Sequence, residues 1–119
     1  VNICSPLELS AYSLERKDDR TLVALELLEN GAPLLLNGGG NGQLDAAANA
    51  LKAHFKLSFT TVLYTEHALE SGSHSRAAAY VGISDGIAGK THFACGIDTD
   101  IMKASIKALL GSFDKLVKR

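Results

Sequence analysis

The residues best placed to do chemistry lie around a run of glycines. Gly38-Gly39-Gly40-Asn41-Gly42 leads into a stretch whose apolar residues recur at helical spacing, with Leu44 and Asp45 at its start. Glycine lets backbone come close to a ligand, and the first N–H groups of a helix attract a carboxylate or phosphate. No Gly-Lys-Ser/Thr follows, and the run has no Gly-x-Gly-x-x-Gly match in a βαβ setting, so a nucleotide loop is not indicated. Taken alone, the run reads equally as a site for a small charged ligand or as a flexible turn. His54, His67, His74 and His92 form no His-x-x-x-His pair, and there is no Cys-x-x-Cys. A zinc site could be assembled in space from His67, His74, His92 and Cys95, but the spacing favours surface or structural histidines. Ser71, Ser73, Ser75 and Cys95 are potential nucleophiles without a Gly-x-Ser-x-Gly elbow. His92 and Cys95, three apart on a short strand, point to opposite faces. Asp98 and Asp100 flank Thr99 and read as helix-capping groups. No catalytic residue and no metal ligand is assigned.

The bulk numbers narrow the classes. A chain of 119 residues fits one compact domain, and 46% apolar with 21% charged residues is an ordinary globular composition. Twelve Lys and Arg against 13 Asp and Glu give a net charge of −1, with no basic excess to bind nucleic acid. No segment approaches the roughly 18 apolar residues of a membrane helix. Two distant cysteines, Cys4 and Cys95, suggest a reducing compartment, the cytoplasm, rather than a disulfide framework. Residues 1–6 read as the end of a linker, and the chain as a piece of a longer protein.

The elements that must hold these residues come twice in the same order. Leu7 to Arg16 alternates as a strand, with Leu7, Leu9 and Ala11 on one face and Tyr12 and Leu14 on the other. Lys17 to Arg20 reads as a hairpin turn, Thr21 to Glu29 as a second strand, and Asn30-Gly31 as a two-residue turn. Ala32 to Asn37 is a short third strand, the glycine run a loop, and Leu44 to Phe55 a helix. The second half repeats this: a strand over Leu57 to Ala68, a polar loop over Glu70 to His74, a strand over Arg76 to Ser84, and a turn at Asp85-Gly86. A strand over Gly89 to Gly96 and a helix over Asp100 to Val117 follow. The helices are expected to superpose with Asp45 on Asp100, Leu51 on Ile106 and Ala53 on Ala108. The fold class is α+β, two pseudo-symmetric βββα units over residues 7–56 and 57–119. One helix covers one sheet face, so the other face calls for a second unit or a dimer partner. Ala68, Ala77, Ala78 and Ala79 permit either close packing or a shallow pocket, close packing being the default.

Four motifs in order carry a resemblance: Gly40-Asn41-Gly42-x-x-Asp45-Ala46, Tyr64-x-Glu66-His67-Ala68, Gly72-Ser73-x-Ser75-x-Ala77-x-x-Tyr80-Val81, and Gly96-x-x-x-Asp100-Ile101-x-x-Ala104-Ser105. Together they resemble the C-terminal regulatory domain of the 2-isopropylmalate and citramalate synthases. The resemblance implies a non-catalytic, homodimeric domain with no cofactor of its own, attached to a TIM barrel that uses a divalent metal and acetyl-CoA. It implies that leucine, or isoleucine for a citramalate synthase, binds near the dimer interface and inhibits the barrel. It places Gly40, Gly42, Leu44 and Asp45 around the effector's charged groups. Thr61, Tyr64, Ala68, Ser75 and Ala78 would line its side chain, and Ile97 would close the pocket. The chain departs from the family at Gln43, where proline is common, and at Ser112-Phe113-Asp114. A purely structural dimerisation module and a small metal-dependent enzyme are the competing readings.

Overall fold

The computed structural model of the chain describes residues 7–29, 31–69, 76–85 and 90–117. Backbone contacts divide it into two compact units, one running to Ser58 and the other beginning at Phe59. Each is a three-stranded antiparallel sheet followed by one helix, the twice-βββα arrangement expected from the sequence.

In the first unit β1 (Glu8–Lys17), β2 (Arg20–Glu29) and β3 (Ala32–Gly40) lie in that order and precede α1 (Gln43–Phe55). Lys17 pairs with Arg20, so Asp18 and Asp19 alone make the first turn, with φ of 51° and 64°. Aspartate tolerates this left-handed region, and such a turn matches the twist of its strands. Glu29 pairs with Ala32 across the second turn, where Gly31 has φ 79° and Asn30 lies outside the described residues. Thr21, Val23, Leu25 and Leu27 alternate onto the buried face of β2. They share the core with Leu36 and with Ala46, Ala47, Ala50 and Leu51 of α1. The helix ends at Lys56 in a left-handed conformation, φ 55° and ψ 40°.

Two features differ from the alternation read in the sequence. A bulge between Leu9 and Ala11 sets Leu9 opposite Leu27 but Ala11 opposite Glu26. Tyr12 and Leu14 pair with buried Leu25 and Val23, so Leu9, Tyr12 and Leu14 share the helix-facing side and Ala11 takes the other. The glycines are the second correction. Gly38, Gly39 and Gly40 are not loop but the end of β3, paired with Val23, Leu22 and Thr21. At Gly38 the lack of a side chain serves helix packing: a β-carbon there would fall 2.4 Å from the Ala46 carbonyl oxygen and 2.6 Å from the Ala50 nitrogen.

In the second unit β4 (Phe59–Ala68), β5 (Ala77–Asp85) and β6 (Thr91–Asp98) lie in that order and precede α2 (Ile101–Val117). Residues 70–75 and 86–89, which include the expected polar loop and Gly86 of the expected turn, lie outside the described residues. Ala79, Val81 and Ile83 of β5 are buried with Ile106, Leu109 and Phe113 of α2, and the Phe59 and Phe113 rings lie 5.8 Å apart. The helix lies over β5 and β6. Asp100 caps it, its Oδ1 accepting the N–H of Met102 at 2.9 Å and of Lys103 at 3.4 Å. Asp98 Oδ1 in turn accepts the Asp100 N–H at 3.0 Å, and its Oδ2 pairs with Lys107 Nζ at 2.7 Å. These bonds, the Asp100 N–H first and Lys107 next, hold the Asp98 carboxyl below the usual carboxylate range. Replacing Asp100 with alanine is expected to lower unfolding stability by about 1 kcal/mol, and Asp100→Ser to restore most of it. Equal denaturant midpoints for wild type and Asp100→Ala would refute the capping role.

The units superpose in a different register from the one expected. Gly96 lies under α2 as Gly38 lies under α1: its β-carbon would fall 2.2 Å from the Ala104 carbonyl oxygen and 2.8 Å from the Ala108 nitrogen. The first helical bonds, Ala46 N–H to Gly42 O and Ala104 N–H to Asp100 O, are both 2.9 Å. Gly42 is therefore the counterpart of Asp100, and Asp45 falls on Lys103. The expected overlay was one short helical turn out of step.

Candidate functional site

The junction of β3 and α1 gathers Gly40, Gly42, Leu44 and Asp45. Gly40 is buried, and a β-carbon there would lie 2.6 Å from Asp45 Oδ2 and 3.0 Å from the Ala46 nitrogen. The same Oδ2 accepts the Asn41 N–H at 3.2 Å, so the carboxylate folds back over the helix start. Gly42 is the N-cap residue, extended at φ −143° and ψ 175°, and no side chain caps the helix. Behind the junction, Asn49 Nδ2 donates to the Gly39 carbonyl at 2.8 Å and fixes α1 against β3. Leu44 is half-buried and Asp45 exposed. The contrast with α2 is chemical: there Asp100 occupies the first N–H groups, whereas α1 presents its own at the positive end of the helix dipole. Donors for a carboxylate thus stand beside an acceptor for an ammonium, the two needs of a zwitterionic amino acid.

The residues of the second unit divide between two faces. A bulge between Thr61 and Leu63 places Thr61 opposite Ile83 and Tyr64 opposite Val81, with Ala68 opposite Ala77. Thr61, Tyr64 and Ala68 therefore share the helix-facing side of β4. Ala78 and Ile97 pair with each other on the opposite face, beside His67, Tyr80 and Cys95. Ser75 lies outside the described residues, as do Ser71, Ser73 and His74. His67 meets the Tyr80 ring edge-on at 5.7 Å. His92, opposite Ile83, lies on the helix-facing side, away from His67 and Cys95. Among the described residues, no three His, Cys, Asp or Glu side chains come together as a metal site.

Two further polar residues enter the geometry without having been assigned a role from the sequence. Tyr64 Oη donates to Glu66 Oε2 at 2.6 Å and lies 2.7 Å from Ser105 Oγ of α2. Burial pushes the Tyr64 phenol above its ordinary value, its bond to Glu66 adds to this, and Ser105 pulls the other way. The available signal for Ser105 was a hydroxyl among the apolar residues Ala104, Ile106 and Leu109, where only a bonded serine is tolerated. Glu66 stands in the Tyr64-x-Glu66-His67-Ala68 motif, but its face is set by the bulge between Thr61 and Leu63, which is not written in the alternation.

A family model described as the LeuA allosteric (dimerisation) domain matches residues 5–117. A 2-isopropylmalate synthase of Desulfitobacterium hafniense is 44% identical over 119 residues, covering 99% of this chain and 21% of the relative. The enzyme of the same name from Helicobacter hepaticus is 44% identical over 82 residues, covering 69% of this chain and 14% of the relative. That of an Azoarcus species is 32% identical over 117 residues, covering 98% and 20%. The chain spans about a fifth of the length of the first of these relatives. With the match extending over both βββα units, the chain belongs to the family of LeuA allosteric (dimerisation) domains.

Proposed function

We propose that this chain is the effector-sensing domain of a cytoplasmic 2-isopropylmalate synthase. Leucine bound to it inhibits the condensation of acetyl-CoA with 2-oxoisovalerate on a catalytic barrel in the same longer protein. The domain acts as a homodimer and carries no catalytic group. The observation that carries this reading is the β3–α1 junction, where helix N–H groups without a side-chain cap stand beside the Asp45 carboxylate. The N–H groups take the effector's carboxylate, Asp45 takes its ammonium, and Gly40, Gly42 and Leu44 shape the approach. The match to an allosteric domain supports the regulatory role.

Following the resemblance, lining of the effector's side chain is proposed for Thr61, Tyr64, Ala68, Ser75, Ala78 and Ile97. Thr61, Tyr64 and Ala68 lie on the helix-facing side of β4, and Ala78 and Ile97 pair with each other on the other face of that sheet. Ser75 keeps the lining role that the resemblance gives it.

Calorimetric titration with leucine, isoleucine and valine, with thermal melting alongside, tests the reading. At 100 times its dissociation constant a ligand stabilises the folded state by about 2.7 kcal/mol, readily seen as a shift in melting. Leucine is expected to bind best. Preference for isoleucine would move the parent to citramalate synthase, and a folded chain that binds none of the three would leave only a structural dimerisation module.

A further inference from the structure

The contact between β4 and α2 has a proton count that singles it out. Tyr64 Oη lies 2.6 Å from Glu66 Oε2 and 2.7 Å from Ser105 Oγ, and Ser105 Oγ lies 2.9 Å from the Ile101 carbonyl. Two hydroxyl protons serve three contacts. A carboxylate brings none, so the Tyr64 proton goes to Glu66. The single Ser105 proton is then divided between Tyr64 Oη and the Ile101 carbonyl, the first residue of α2. Ser105 is 1% exposed and Tyr64 is 43% exposed, so one end of the chain of bonds is fixed in the core and the other is open. Most of α2 lies over β5 and β6. Its links to β4 include the Phe59–Phe113 ring pair, which is apolar, and this polar one, which can exchange partners.

We propose that Ser105 and Glu66 are positioning residues for Tyr64, holding its hydroxyl where an amino-acid effector meets the helix-facing side of β4. This rests on the sensing function proposed above. An effector side chain packed against the Tyr64 ring fixes that ring, and with it the Ser105 bond that competes with the Ile101 carbonyl, so occupancy at β4 is felt at the start of α2.

The test compares leucine affinity in Tyr64→Phe, Ser105→Ala and the double variant of this chain by calorimetry. Alanine fits the space of serine and favours a helix, so the fold is retained. Ser105→Ala is expected to weaken leucine binding about five- to tenfold, and Tyr64→Phe at least as much. The double variant binds no more weakly than Tyr64→Phe, because Ser105 acts through the phenol. Ultraviolet titration of the tyrosines supplies a readout that packing alone would not move: Ser105→Ala raises the Tyr64 titration and Glu66→Gln lowers it. Unchanged leucine affinity in Ser105→Ala, additive losses in the double variant, or an unmoved titration overturns the assignment while leaving the sensor intact. If wild type binds none of the three amino acids, the sensing function fails first and the assignment with it.

Discussion

Replacing Gly96 with alanine is expected to destabilise the second unit by about 3 kcal/mol, near the upper end for overpacking a core. The added methyl would sit 2.2 Å from the Ala104 carbonyl oxygen and 2.8 Å from the Ala108 nitrogen and from Lys107 Cβ. The first two are backbone atoms of α2, so no rotamer change relieves the clash and the helix must lift from the sheet. Lifting it loosens Ile106, Leu109 and Phe113, all fully buried. Gly38→Ala should behave alike in the first unit, where Ala46 and Ala50 of α1 stand equally close. Gly42→Ala is the control for the glycine change itself, since nothing lies within 4 Å of a β-carbon there. The measurement is urea unfolding, read as a fall in midpoint at unchanged slope. A Gly96→Ala midpoint within experimental error of wild type would mean that the helix sits less tightly on β6 than these distances require.

Gly42→Asp should separate stability from sensing. The duplicated unit already shows the result on the other helix, where Asp100 takes the N–H groups of Met102 and Lys103. Gly42 is the counterpart of Asp100, and its extended backbone, φ −143°, suits an aspartate cap. The introduced carboxylate would occupy the N–H groups assigned to the effector and repel the effector's own carboxylate. Stability should rise by about 0.5 kcal/mol. Leucine affinity should fall at least about tenfold, a loss of about 1.4 kcal/mol or more. A variant that is merely misfolded cannot give this pair of results, because its melting temperature would drop. Wild-type leucine affinity in a stabilised Gly42→Asp variant would remove the helix start from the site, and Asp45 with it. Gly42→Ala, which adds no acceptor, is expected to bind leucine nearly as wild type does.

The order of elements and the duplication are legible in the chain's local patterns. Period-two runs such as Ala77, Ala79, Val81 and Ile83 and the helical stripe Met102, Ile106, Leu109 and Phe113 are local patterns, and local patterns survive in one dimension. The turn at Asp18-Asp19 and the cap at Asp100 were legible for the same reason, since each depends on residues a few positions apart. Three features depend on contacts between elements distant in the chain. Gly38 to Gly40 read as loop because glycine is a weak strand former, yet they pair with β2 and extend β3, and at Gly38 and Gly40 α1 crosses too closely for a side chain. The register between the two units was one short turn out because an apolar stripe shifted by three residues stays nearly in phase on a helix; Gly38 and Gly96, pressed against matching carbonyls, fix it. The bulges in β1 and β4 decided which side chains share a face, bringing Thr61 and Tyr64 together and separating Leu9 from Ala11. One extra residue in a strand reverses everything beyond it, and its place is set by the partner strand and the packed helix, neither of which a local pattern contains.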